Sequence, residues 1–216
     1  MNIILEMFNN ILRIGFSITK DWGISIILLT ILLRFLLLPL SFKQRMSILK
    51  QGEISKKIEE TKIKYKNDKA KLDEELMKHY KESSKSMFGC FTLILQLPIL
   101  SALYYTIQRM PADVGTILIP WVSSLKLPDR YFIVPLLYSL ISVSPNLISY
   151  IGILKPYGSE VKNLGFNMIS MMVISIIITI KAPVSIGIYF IASGVFTLFE
   201  EIAFRLYQRY LNTVKA

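Results

Sequence analysis

The sequence predicts an all-α polytopic membrane protein: five transmembrane helices, a cytoplasmic helical hairpin and an N-terminal interfacial helix. Hydrophobic residues make up 53% of the 216, and the mean hydropathy is +0.49. They are gathered into runs near the roughly 20 residues that a membrane-crossing helix needs. A charge-dense stretch at 43–85 separates the first run from the second and places the intervening chain in water.

Residues 1–21 carry Ile4, Leu5, Phe8, Ile11, Leu12 and Phe16 at helical spacing. Glu6 comes early, with no basic leader and no small-residue cleavage site, so a helix lying on the membrane surface is expected in place of a cleaved signal. The first span, 22–42, contains "ILLTILLRFLLLPLSF", with Arg34 inside an apolar run. At about 1.5 Å per residue Arg34 lies roughly 18 Å from Trp22, past the midplane towards the cytoplasm. Inserting such a charge costs about 2.5–3.5 kcal/mol. Thr30 sits one turn earlier on the same face.

The insertion at 43–85 holds thirteen basic and eight acidic residues. It reads as two antiparallel helices about a turn at 66–68. Such a hairpin is either a solvated link or a positively charged contact surface for anionic headgroups, a ribosome or a nascent chain. The second span, 86–107, places Thr92 and Gln96 one turn apart. An external loop (108–130), a third span (131–150), a cytoplasmic loop (151–163) and a fourth span (164–181) follow. The fifth span, 183–204, has Ser185, Tyr189, Ser193 and Thr197 every four residues, then Glu200 and Glu201; the tail is 205–216. Spans one, two and five thus offer polar faces for one wet cavity. Each hydroxyl also has an ordinary reading as a close helix contact, and Arg34 as a partner of Glu200 or Glu201.

Eighteen basic residues fall on the side of the hairpin, the 151–163 loop and the tail, against six on the other. The positive-inside rule therefore puts the N-terminus outside and the C-terminus in the cytoplasm. One cysteine, Cys90, excludes an intramolecular disulfide and reads as apolar filler; one histidine, His79, excludes a His-rich metal site. No nucleophile triad and no phosphate-binding loop is present. The chain is read as no enzyme, without cofactor or metal, and without sequence-specific nucleic-acid binding.

The chain resembles the YidC/Oxa1/Alb3 membrane protein insertases from "DWGISIILLTILLRFLLLPLSFKQ" to "APVSIGIYFIASGVFTLFEE". The resemblance rests on Arg34, Leu38 and Pro39, on "GCFTLILQLPILSALYY" at 89–105, and on "PWVSSLKLPDRYFIVP" at 120–135 with Trp121, Pro128, Asp129 and Pro135. It implies five helices around a hydrophilic groove, open to the cytoplasm and to lipid and closed to the exterior. Arg34 matches the groove arginine, and Thr30, Gln96 and Tyr189 match groove-lining positions. The polar stripe adds Ser193 and Thr197. Implied partners are nascent membrane proteins and the bilayer of a bacterial plasma membrane; the Sec translocon and a weak ribosome contact stay open. Departures are the absence of a large outer domain before the first span and of a lipobox cysteine, the short tail, Pro145 and Asn146 in span three, and Glu200/Glu201 where glutamines are expected. A small-anion transporter or channel and a non-inserting assembly scaffold are the alternatives.

Overall fold

The computed structural model describes residues 2–66, 68–84, 91–110, 114–148 and 164–215. Cys90, the 151–163 loop with Lys155 and Lys162, and the start of the second predicted span lie outside the described residues. Among the described residues there are seven α-helices and no strand: α1 (Asn2–Thr19), α2 (Trp22–Lys64), α3 (Lys69–Ser84), α4 (Phe91–Gln108), α5 (Ile133–Leu147), α6 (Leu164–Thr179) and α7 (Val184–Lys215). Two of them, α2 and α7, are long and apolar enough to cross a membrane; α5 and the Met168–Thr179 part of α6 are shorter apolar helices.

Helix α2 passes through position 42/43 without a break, so the predicted boundary between span and hairpin is a change of composition inside one helix. Pro39 removes one backbone donor and does not end it, as apolar helices tolerate. The 204/205 boundary is likewise internal to α7. The chain forms two compact units, Met1–Leu36 with Ile99–Ala216, and Leu37–Pro98.

In the second unit α2 ends at Lys64, and Asp68 starts α3 by accepting the Lys71 amide on its carboxylate at 3.3 Å. Thr61 Oγ1 and His79 Nε2 lie 3.3 Å apart between the two arms. Lys78 is bracketed by Glu74 at 3.0 Å and Glu75 at 2.9 Å, in solvent.

In the first unit α1 has three sectors, because successive residues turn by about 100°. Phe8, Leu12 and Gly15 face inward, and Phe8 and Leu12 join a core with Ile26, Leu29, Leu103, Ile107 and Ile188. Ile3, Met7, Ile14 and Ile18 form a second apolar sector that stays exposed, Ile3 at 80% and Ile18 at 73%. Glu6, Asn9 and Arg13 fall on the polar third. Gly15 permits the crossing with α2, since a Cβ there would stand 3.1 Å from that of Ser25. Helices α5 and α7 also approach closely: a Cβ on Gly187 would lie 2.3 Å from Val134 Cγ1, and one on Gly194 2.6 Å from Ile141 Cγ2.

Candidate functional site: a polar contact between α2 and α7

The described part of the loop after α4, from residue 114 on, ties the starts of α2, α5 and α7 and the end of α4 together at one end of the first unit. Asp21 caps α2 by accepting the Ile24 amide at 2.9 Å, and also takes the Thr116 hydroxyl at 2.8 Å and the Ile117 amide at 2.6 Å. Burial raises the Asp21 pKa, yet the hydrogen bonds from Ile117, Ile24, Thr116 and Gly23 together outweigh it and hold the carboxyl below its ordinary value. Lys126 Nζ donates to the carbonyls of Gln108 at 3.2 Å and Met110 at 2.7 Å, at the C-terminal end of α4. Asp129 takes the Trp121 indole at 3.1 Å and the amides of Tyr131 and Val134 at 3.0 and 2.8 Å, which fixes the start of α5. The amides of Val184 and Ser185 donate to Leu127 and Leu125, answering two donors that the first turn of α7 cannot satisfy itself.

Below this end, Arg34 on α2 reaches Ser193 on α7. Its Nε donates to Ser193 Oγ at 2.8 Å, and Nη2 donates to the same oxygen. Ser193 is buried and Arg34 half-buried. Of the five guanidinium donors, these bonds take two. The acceptor is neutral, so the positive charge is oriented without being cancelled. Among the described residues no carboxylate pairs with Arg34. Glu201 instead takes Arg205, one turn on, at 2.5 Å, and Arg205 also reaches the carbonyl of Pro145 at 3.4 Å.

Of the other sequence-predicted residues, Thr197, Tyr189 and Thr30 lie on the same two helices within the first unit. Thr197 stands one turn beyond Ser193 and donates to its carbonyl at 2.9 Å. Tyr189, one turn before, is buried within the core. Thr30 is fully buried, and its hydroxyl turns back to the Ile26 carbonyl at 2.6 Å, so it adds a packed, internally satisfied group beside Arg34. Gln96 is half-buried and belongs to the second unit. Asp21 opens the "DWGISI" run of the resemblance without a role being assigned to it from the sequence, although an acidic residue directly before an apolar run is a helix-start signal.

A sequence profile of the family described as 60Kd inner membrane protein matches residues 14–210. The chain belongs to this family, that of YidC, Oxa1 and Alb3. Among curated proteins it is similar to the membrane protein insertase YidC of Clostridium perfringens, 42% identical over 123 residues, covering 56% of this chain and 51% of that one. It is 32% identical over 187 residues to membrane protein insertase YidC 2 of Listeria innocua, covering 84% and 63%. With YidC of Helicobacter pylori (strain ATCC 700392 / 26695) it shares 36% over 140 residues, covering 62% and 26%. The match thus spans between about a quarter and under two thirds of these relatives. The family match covers Arg34, Ser193 and the loop that ties these helix ends together.

Proposed function

We propose that this chain is a membrane protein insertase of a bacterial plasma membrane. In this reading the apolar part of α2, with α4, α5, α6 and α7, crosses the bilayer, the N-terminus lies outside, and Arg34 faces a hydrophilic groove. The single observation that carries it is Arg34 oriented by a serine: a permanent charge kept at membrane depth next to a neutral acceptor remains available to a negative partner. The hydrogen bonds between residues 116–129 and the starts of α2, α5 and α7 support a groove closed to the exterior.

The mechanism is electrostatic and hydrophobic. A client's short polar or acidic outer tail crosses hydrocarbon at high cost, and a wet groove reaching partway shortens the dehydrated path. Arg34 attracts the tail for the time that transfer takes. The apolar segment then moves sideways into lipid, driven by about 25 cal/mol for each Å² of apolar surface removed from water. The membrane potential adds to the drive for acidic tails. Nucleotide hydrolysis has no part in this scheme. Nascent membrane proteins and the bilayer are the partners; work with the Sec translocon and a weak ribosome contact through the hairpin belong to the same reading.

The test is insertion of a single-span client with a short acidic outer tail into proteoliposomes, scored by protease protection. At separations of 4–6 Å an attraction of roughly 1–3 kcal/mol is expected. Arg34→Ala, folded by thermal stability, then inserts about tenfold less, while Arg34→Lys retains part of the activity. Insertion by Arg34→Ala equal to wild type removes the groove charge from the mechanism; no insertion of several such clients by wild type removes the function.

A further inference from the structure

A pocket of about 640 Å³ opens between α1, the first turn of α2 and the last turn of α4, apart from Arg34 and Ser193. Its wall on α1 carries Glu6, Asn9 and Arg13, and Arg109 faces it from just beyond α4. Apolar surface comes from Leu5, Trp22 and Met110, with Trp22 stacked on Phe16 at 4.2 Å. Arg13 and Arg109 are exposed, and among the described residues neither guanidinium is held by a carboxylate. The pocket therefore combines two cations, hydrogen-bonding groups and an apolar floor, in a volume typical of small-ligand sites.

Its position narrows the class of ligand. Trp22 begins the apolar run of α2, so the pocket sits where that helix enters the membrane. The neighbouring sector of α1, with Ile3, Met7, Ile14 and Ile18, is apolar and exposed, as in a helix laid into the headgroup boundary. A ligand at that level that offers a phosphate to arginines and apolar matter to Trp22 and Met110 is a glycerophospholipid. The guanidinium fork suits phosphate oxygens.

We propose that this pocket is a phospholipid headgroup site, with the phosphate between Arg13 and Arg109 and the first acyl methylenes against Trp22 and Met110. Glu6 is the acidic residue of the same lining, seven residues and two turns from Arg13 on α1. The site requires only that the chain is embedded in a membrane and makes no use of Arg34, so it stands or falls separately from the insertase reading.

The experiment is native mass spectrometry of the full chain, released from an uncharged detergent after equilibration with phosphatidylglycerol, with inorganic phosphate, or with a diacylglycerol of the same chain length. The wild type is expected to retain one phosphatidylglycerol per chain. Arg13→Ala/Arg109→Ala, two exposed changes that leave the core intact, is expected to lower that retention at least about fivefold, tenfold corresponding to about 1.4 kcal/mol. Arg130→Ala/Lys181→Ala removes the same charge from other exposed positions at that end and is expected to retain the lipid like wild type. Equal loss in both double variants shows only a diffuse charge effect and overturns the site. So does equal retention of diacylglycerol, or retention of inorganic phosphate in place of the lipid.

Discussion

Ser193 and Asp21 do opposite things to a charge, and each predicts a distinct response. Ser193 orients Arg34 without neutralising it. Ser193→Ala leaves two guanidinium donors to find water, at a cost of about 1 kcal/mol, the lower end of the range for such losses because Arg34 is half-exposed. Thermal melts in detergent check this, and client insertion is expected to stay close to wild type because the charge remains. A fall as deep as that of Arg34→Ala instead makes the serine essential to the site. Asp21 spends its charge on structure, holding the α2 N-terminus to the loop through Thr116 and Ile117. Asp21→Asn loses charge assistance and one of the two acceptor oxygens, setting an NH2 donor against the amide of Ile117 or Ile24, with an expected cost of roughly 2–3 kcal/mol. The folded pKa is depressed. The contribution is therefore fully present above the unfolded value of about 3.9 and is lost as the pH falls through the folded pKa. A stability profile whose acid limb is unchanged in Asp21→Asn removes this assignment.

At the scale of helices, the close crossing of α5 and α7 leaves no room for an added side chain at Gly187 or Gly194. Gly187→Ala drives a Cβ into Val134, which is buried. Overpacking of this kind costs about 1–3 kcal/mol. Val134→Ala in the same chain is expected to recover much of the loss, a coupling that a double-mutant cycle of melting temperatures measures directly; additive losses exclude the contact. This pairing was not legible in the sequence, because a glycine in an apolar run announces nearness without naming its partner. Other features were legible in part. The polar stripe singled out Ser193 and Thr197, and hydropathy singled out Arg34, since spacing alone puts each on a helix face. Which acceptor Arg34 takes depends on how deep α2 sits against α7. Glu201 lies eight residues, roughly 12 Å, beyond Ser193, a distance that decides between ion pair and hydroxyl and that one-dimensional spacing does not contain. The continuity of α2 through 42/43 escaped for a related reason: composition changes there while the backbone pattern does not.

For the whole molecule, the decisive quantity is which end of the first unit faces the exterior. The loop after α4 gathers the starts of α2, α5 and α7 and the end of α4 at one end. Along α7 the chain runs from Val184 at that end to Tyr210, twenty-six residues away, or about 39 Å, enough to cross a hydrocarbon core of about 30 Å. Ile117 is 80% exposed in the loop and Tyr210 67% exposed near the other end of α7, so both positions accept a reporter without disturbing a packed side chain. In a Cys90→Ser background, Ile117→Cys is expected to react with a membrane-impermeant maleimide added to intact cells after removal of any outer barrier. Tyr210→Cys is expected to react only after the membrane is opened. The charge distribution argues for this sense, since the hairpin arms of α2 and α3 carry the densest run of Lys and Arg. The reverse pattern contradicts the proposed insertion path, because a loop tying the helix ends together on the cytoplasmic side leaves no way for a newly made acidic tail to reach Arg34 from the compartment of synthesis. Labelling of both positions from outside removes the crossing by α7 and, with it, the membrane depth of the Arg34–Ser193 contact on which the insertion mechanism depends.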